Sequence, residues 1–248
     1  MPSINPVFYR EMLLLKKKAL RLGYLFSTLL FPLLYLFAFG WGLGSKVRLD
    51  GTSYVVFLVP GLLAMTAMNN SFNLSAGSVG MGRLYSRTIQ PILTSPVGAY
   101  RVVNGYLMAG IVRGIIGSGI VAFAAFLLFG SQVINLSAPA VAGLTLTMAF
   151  FSLLGLIVGL LIKDLEDIAV ITNFVIMPMA FFSGTFFPLE TVPVWLRSLL
   201  TLLPLSQVNL LMRSHTFTTP ALTAVACLTL FTVGAYAVSA YYLTRFQE

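Results

Sequence analysis

The side chains that could support catalysis or metal binding lie in two parts of this sequence. The run Lys163 to Asp167 holds three carboxylates, and clustered carboxylates can bind a divalent cation. No other residues supply ligands nearby, so this run is more typical of a solvated turn. His215 and Cys227 are the single histidine and the single cysteine, and Cys227 lies inside an apolar run. The residues therefore predict no catalytic site and no metal site.

Arg113 is the charged residue whose position most needs an explanation. If an apolar span begins near residue 102, Arg113 lies 11 residues, or roughly 16 Å, along it. An arginine at the centre of a membrane costs at least about 2.5–3.5 kcal/mol, so it would face the protein interior or a wet cavity. Alternatively the span covers 114–131, and Arg113 reaches the membrane surface.

Composition defines the elements that must hold these residues. Of the 248 residues, 58% are hydrophobic and only 9% are charged, and the mean hydropathy is +0.93. Soluble domains carry about 25% charged residues. These values exclude a soluble enzyme, a disordered chain and a disulfide scaffold. They predict an all-α integral membrane protein formed by one transmembrane domain over residues 1–248.

The charge-free runs predict six transmembrane helices, because one span takes roughly 20 apolar residues. The predicted spans are about 22–43, 54–76, 102–129, 139–162, 168–187 and 219–243. Gly40–Gly44, Gly110–Gly114 and Gly155–Gly159 match the GxxxG pattern that allows close helix packing. Residues 1–21 precede the bundle, and within them Phe8, Met12 and Leu15 recur at helical spacing beside a lysine cluster. This pattern favours an interfacial helix over an unstructured basic leader.

Positive charge predicts the orientation of the chain in the membrane. With the N-terminus inside, ten lysines and arginines fall in inner segments and four in outer segments. The ten are Arg10, Lys16, Lys17, Lys18, Arg21, Arg83, Arg87, Arg101, Lys163 and Arg245, and the four are Lys46, Arg48, Arg197 and Arg213. Both termini are therefore predicted to be cytoplasmic. The net charge of +8 reflects this orientation and does not indicate a nucleic-acid partner.

Two segments do not fit a simple bundle. Residues 77–101 form a long cytoplasmic loop in which Arg83 and Arg87 are four apart and would share a helical face. They predict either a short surface helix pressed upon by a partner, ending near Pro96, or a solvated basic loop. Residues 183–215 are apolar, but prolines divide them into pieces shorter than a span. This pattern favours re-entrant helices over a loop lying flat on the membrane.

Three stretches of the sequence resemble ABC-2 type permeases, the membrane subunits of type-2 ABC exporters. They are FFSGTFFPLETVPVWLRSLLTLLPLSQVNLLMR (181–213), NGYLMAGIVRG (104–114) and LTSPV (93–97). The resemblance covers nearly the whole chain, and the closest branch resembles the nodulation-type lipooligosaccharide and multidrug exporters. The sequence differs from the usual pattern of this branch at two positions. Gln207 stands where histidine is usual, and Asn209 stands where an acidic residue is common.

The resemblance implies roles that the residue pattern alone does not give. Residues 5–21 would be the connecting helix, and residues of about 83–97 would be the coupling helix. The residues implied to contact the ATPase are Arg83, Arg87, Ile89, Pro91, Leu93 and Pro96. Those implied at the outer gate are Phe182, Phe186, Phe187, Pro188 and Glu190. Candidates for the translocation path or inner gate are Arg113, Asn69 and Asn73.

The resemblance also implies the partners. They would be two copies of an ABC ATP-binding subunit, a second permease copy and membrane lipid. The chain would bind no cofactor directly, because ATP and Mg would be held by the partner subunit, and it would not be an enzyme by itself. The expected function is ATP-driven export of an amphipathic lipid, glycolipid or polysaccharide, or drug-like substrate across the bacterial inner membrane. The alternative is an ATP-independent channel or secondary carrier.

Overall fold

The structure, a computed structural model, describes residues 5–19, 30–42, 48–49, 52–93 and 98–247. Almost all of these residues are helical, apart from a hairpin of two short antiparallel strands, β1 (Arg48–Leu49) and β2 (Thr52–Ser53). The helices within these ranges are α1 (Pro6–Ala19), α2 (Leu30–Trp41), α3 (Tyr54–Leu84), α4 (Gln90–Leu93), α5 (Ala99–Phe129), α6 (Ala138–Leu161), α7 (Glu166–Ile171), α8 (Met177–Phe182), α9 (Val194–Thr201), α10 (Pro204–Arg213) and α11 (Thr219–Gln247).

Four of the described helices are long and apolar enough to cross a membrane: α3, α5, α6 and residues Thr219–Arg245 of α11. The pair α9 and α10 is bent by 90° and raises the number to five if the pair counts as one span. The predicted six spans are therefore not confirmed. Residues 22–29 of the first predicted span lie outside the described residues, and α2 is shorter than a span.

The helix that corresponds to the predicted fifth span ends before residue 187, the end expected from hydropathy. A helix runs from α7 through a π-helical turn at Thr172–Ile176 into α8 and ends at Phe182. Gly184 follows with a φ of 75°, a left-handed conformation that glycine adopts without steric cost. The chain therefore turns at Ser183 to Thr185, although the residues that follow are still apolar.

Helix α3 lies at the centre of the bundle and packs against α5 and α6. Glycines allow the close approach of α6 to α3 and of α5 to α6. A Cβ at Gly155 would lie 2.4 Å from the carbonyl oxygen of Phe72 on α3, and one at Gly110 would lie 2.1 Å from Ser152 Oγ. Ser152 Oγ in turn donates to the carbonyl of Tyr106 at 2.9 Å. Close packing occurs at Gly110 and Gly155, in two of the three GxxxG pairs, and Gly44 of the third pair lies outside the described residues.

Helices α3, α6 and α11 run in one direction and α5 in the opposite one, which gives the bundle two distinct ends. One end, the basic end, holds α1 and the exposed or half-buried side chains of Arg83, Arg87, Arg101, Lys163 and Arg245. The opposite end, the hairpin end, holds β1, β2 and the turns that join α5 to α6 and α10 to α11. Asn135 ties those two turns together, because its amide donates to the carbonyls of Met212 and Ser214, both at 3.0 Å.

Candidate functional site

The segment after α3, residues 85–93, forms the outermost part of the basic end. Helix α3 ends at Leu84, and Arg87 lies in the following turn with a φ of 50° and an exposed side chain. The expectation that Arg83 and Arg87 share a helical face is therefore wrong, because the helix ends between them. Within residues 85–93 the four residues of α4 are helical, and residues 94–97, near which the predicted surface helix would end, lie outside the described residues.

The side chains predicted to contact an ATPase divide into two groups. Arg83 points inward and donates to the carbonyls of Leu160 and Ile162 at the end of α6. Ile89 is buried against α3, where a Cβ at Gly82 would lie 2.8 Å from its Cγ1. Arg87 and Pro91 are exposed. Leu93 closes α4, and Pro96 lies outside the described residues.

Arg113 lies in the interior of α5, 14 residues after the helix begins, and its side chain is half-buried. It lines two neighbouring cavities of about 850 and 250 Å³, both of which also include Asn73 and Thr172. Asn69 lines the smaller of the two. The structure therefore brings together Arg113, Asn69 and Asn73, the three residues predicted for the path or inner gate.

Asparagine side chains on α3 give the cavity wall its polar character. The amides of Asn69 and Asn73 donate to the carbonyls four residues earlier, at 3.0 and 2.9 Å. These bonds use the amide nitrogens and leave the side-chain oxygens available as acceptors. Asn73 is exposed, and the larger cavity also has apolar residues in its lining, among them Leu14 and Ile168. This lining is amphipathic.

The predicted outer-gate residues lie in the hairpin half of the bundle but do not form one cluster. Phe186 is buried among aromatic rings, with its centroid 5.3 Å from Tyr35 and 5.1 Å from Phe39. Tyr54 also donates its hydroxyl to the Phe186 carbonyl at 2.7 Å. Phe182 lies apart from these rings and is half exposed. Of the remaining predicted residues, Phe187 and Pro188 are half-buried, and Glu190 is exposed and pairs with Arg197 at 3.4 Å.

Two polar residues of α10 hold the turn at residues 183–185. The Asn209 amide donates to the Ser183 carbonyl at 2.8 Å and to Thr185 Oγ1 at 3.1 Å. Arg213 donates to the Gly184 carbonyl at 2.8 Å and lies 3.6 Å above the centre of the Phe57 ring. The sequence prediction gave neither residue this role. A polar side chain in a mainly apolar segment is the signal that could have identified them.

The acidic turn at residues 163–167 is closed by its own carboxylate. Asp167 Oδ2 accepts from the backbone N–H groups of Lys163 at 3.0 Å and Asp164 at 3.1 Å. Hydrogen bonds from the backbone of Asp164 and of Lys163 hold the pKa of Asp167 below its ordinary value. Within the described residues, no group of three histidine, cysteine or acidic side chains could hold a metal ion. The solvated-turn interpretation explains this run without a metal.

A buried carboxylate on α1 is the main feature that the sequence prediction missed. The buried residues of α1 include Val7 and Glu11, whereas Phe8, Met12 and Leu15 are only half-buried. The apolar spacing therefore placed the packed face one residue away from its true position. The sequence contains one usable signal, a single glutamate in a helix that is otherwise basic.

A model of the ABC-2 type transporter family matches residues 7–217. The chain belongs to this family. It is similar to the Inner membrane transport permease YadH of Escherichia coli K12, with 32% identity over 173 residues, which are 69% of this chain and 67% of the relative. It is also similar to Nodulation protein J of Rhizobium meliloti, with 36% identity over 202 residues, which are 81% of this chain and 76% of the relative. The predicted resemblance is confirmed.

Membership of the family defines the class of protein. The chain is the permease subunit of an ABC-2 type transporter, a transmembrane component that is not catalytic. ATP is hydrolysed by a separate subunit, which makes an ATP-binding subunit the implied partner.

Proposed function

We propose that this permease moves an amphipathic lipid, a glycolipid or polysaccharide, or a drug-like molecule out across the inner membrane. The observation that carries the proposal is the cavity of about 850 Å³ at the basic end. Its lining combines the charged residues Arg10, Glu11 and Arg113 with apolar residues that include Leu14 and Ile168. A molecule with a polar head and an apolar body matches such a wall, because each part meets side chains of its own polarity.

The basic end faces the cytoplasm in this proposal, and both chain termini lie there. The excess of lysine and arginine at this end supports the orientation, because cytoplasmic segments carry more positive charge. The cavity then opens toward the side on which substrate and ATP are present. Arg113, Asn69 and Asn73 line the path or its inner gate.

The exposed residues of the 85–93 segment contact the ATP-binding subunit in this proposal. Arg87 and Pro91 are the predicted contact residues that reach the surface, while Arg83 and Ile89 fix the segment to the bundle from within. Such an arrangement suits force transmission, because one face is free for a partner and the other is tied to α3 and α6. Two permease copies and two ATP-binding subunits would form the transporter.

The turn at residues 183–187 and the bent pair α9 and α10 would form the outer gate. The 90° bend and the short helices support a re-entrant segment, which enters and leaves the membrane on one side. Phe186 packs at its base, and Asn209 and Arg213 tie it to α3 and α10. ATP binding would move the spans and open this segment outward.

Charge reversal at Arg87 tests the proposed contact with the ATPase. Arg87→Glu reverses the charge of an exposed side chain, so the permease should still fold and insert. We expect the co-purified amount of the ATP-binding subunit to fall, because reversing a charge at an interface replaces a favourable charge pairing by repulsion. Lys163→Glu, an exposed reversal at the same end, is the matched control. Equal association and transport in the Arg87→Glu and unsubstituted chains would refute the contact.

A further inference from the structure

The side chain of Arg10 joins α1, α5 and the 85–93 segment at one point. Its Nη2 donates to Thr88 Oγ1 at 2.7 Å, and its Nη1 donates to the Tyr106 hydroxyl at 3.3 Å. The same Nη1 pairs with Glu11 Oε1 at 3.2 Å. An arginine suits this junction because its planar guanidinium offers five donors in a fixed geometry. A displacement of Thr88 therefore moves its hydrogen-bond partner, the Arg10 guanidinium.

Glu11 extends the junction to α3. Its carboxylate is fully buried and accepts from Ser78 Oγ at 2.8 Å as well as from Arg10. Burying a carboxylate is unfavourable unless it is paired and hydrogen-bonded, so these partners fix the rotation of α1 against the bundle. Ser78 lies on the same helix as Asn69 and Asn73, which line the proposed path. The junction thus connects the 85–93 segment to α3, the helix that carries Asn69 and Asn73.

Helix α1 is also held closely against α5. Val7 packs onto Gly105, where a Cβ would lie 2.6 Å from the Val7 Cβ. Asn5 accepts from the backbone N–H of Val7 at 3.0 Å and donates its amide to the Arg101 carbonyl. Closely packed elements of this kind move together because interiors are dense and resist compression. Helices α1 and α5 therefore respond to the segment as one unit.

We infer that Arg10 and Glu11 are positioning residues that pass a displacement of the 85–93 segment to α3 and α5. The inference rests on the proposed function, in which that segment receives the movement of the ATP-binding subunit. Arg10 binds the segment through the Thr88 hydroxyl, and Glu11 carries the connection to Ser78. Breaking the Arg10–Thr88 hydrogen bond leaves the parts assembled but weakens their mechanical link.

Thr88 offers a clean test because it is exposed, and its hydroxyl can be removed in one variant and kept in another. Thr88→Val keeps the shape and removes the hydroxyl, whereas Thr88→Ser keeps the hydroxyl. Each variant is purified with its ATP-binding subunit and placed in lipid nanodiscs. Three quantities are measured: the co-purified ratio of the subunits, the ATP hydrolysis rate, and the difference in hydrogen exchange between nucleotide-free and vanadate-trapped complexes along α3 and α5.

We expect Thr88→Val to assemble and to hydrolyse ATP within about twofold of the unsubstituted complex, as an exposed substitution should. The difference in hydrogen exchange along α3 between its nucleotide-free and vanadate-trapped states should fall about tenfold. Losing a hydrogen bond to a charged group changes an equilibrium constant by about this factor. Thr88→Ser should keep the full change. Lys17→Gln, which removes an exposed charge from the helix that carries Arg10, should also keep it.

A purely structural role would lower the yield of folded complex but leave the exchange response of each assembled complex unchanged. That result would overturn the inference, as would equal responses in the valine and serine variants. Loss of assembly in Thr88→Val would also overturn it, because Thr88 would then act at the subunit contact itself. Failure of the proposed function looks different, because no ATP-binding subunit would co-purify with the unsubstituted chain.

Discussion

Replacing Gly155 by alanine should separate α6 from α3. The added methyl group would lie 2.4 Å from the Phe72 carbonyl oxygen and 3.1 Å from the Ala76 nitrogen, both of them backbone atoms of α3. Backbone atoms cannot rotate away as the end of a side chain can, so one helix must shift. Gly234→Ala on α11 is the matched control, since nothing lies within 4 Å of a Cβ there.

The magnitude follows from two opposing effects. Alanine favours a helix over glycine by about 1 kcal/mol, and this gain applies to both variants. Overpacking a well-packed site costs about 1–3 kcal/mol, and this cost applies only at Gly155. The free energy of unfolding of Gly155→Ala should therefore lie about 1–3 kcal/mol below that of Gly234→Ala. The short contact with a carbonyl oxygen points to the upper part of that range.

Unfolding in mixed micelles, with increasing amounts of a denaturing detergent and helix content followed by circular dichroism, measures this difference. Both variants and the unsubstituted chain are compared in the same detergent, so that the reference state is shared. Equal unfolding free energies for the two variants would refute the close approach of α3 and α6 at Gly155. The position of Asn69 and Asn73 along the proposed path would then also be in doubt, because α3 carries both.

Three further changes test other contacts. Asn209→Leu should lower the free energy of unfolding by about 1–3 kcal/mol, because the buried Ser183 carbonyl loses its donor, and the same detergent titration measures it. Tyr54→Phe removes the hydroxyl that donates to the Phe186 carbonyl and should cost about 0.5–1.5 kcal/mol in that assay. The folded protein holds the pKa of Asp167 below its ordinary value, so the ionised carboxylate stabilises the fold fully above the ordinary aspartate pKa. This stabilisation is lost as the pH falls through the lowered pKa. Asp167→Asn should remove this part of the pH dependence of the free energy of unfolding.

Hydropathy predicted most of the architecture, because a membrane span is defined by length and apolar character. The runs 54–76 and 102–129 correspond to α3 and α5, but each helix extends further. The extensions occur because serine, arginine and glycine residues beyond the apolar run are compatible with a helix although they lower hydropathy. Helix α3 therefore continues to Leu84, past Arg83.

Local geometry that depends on tertiary contacts could not be predicted. Nothing in the periodicity of residues 83–97 indicates that α3 ends at Leu84, so the spacing of Arg83 and Arg87 suggested a common face that does not exist. Glu11 is buried because Arg10 and Ser78 partner it, and Ser78 is distant in sequence. A prediction based on apolar spacing assigns only apolar residues to the packed face, so it cannot place a glutamate there.

The structure brings predicted site residues together where the chain is regular. Arg113, Asn69 and Asn73 meet at neighbouring cavities because α3 and α5 are continuous helices whose faces the sequence determines. The outer segment depends on turns, and there Phe182 and Phe186 have different surroundings although they are four residues apart. The Gly184 turn between them changes the direction of the chain.

Site-specific photo-crosslinking tests most directly the claim that the 85–93 segment meets the ATP-binding subunit on the cytoplasmic side. A photoreactive amino acid is placed at Gln90, an exposed residue of α4, or at Gln132, an exposed glutamine at the hairpin end. Membranes that contain the permease and its ATP-binding subunit are irradiated, and the products are identified by mass spectrometry. The account predicts a crosslink to the ATP-binding subunit from residue 90 and none from residue 132. A crosslink from residue 132, or none from residue 90 while the two subunits still co-purify, would contradict it.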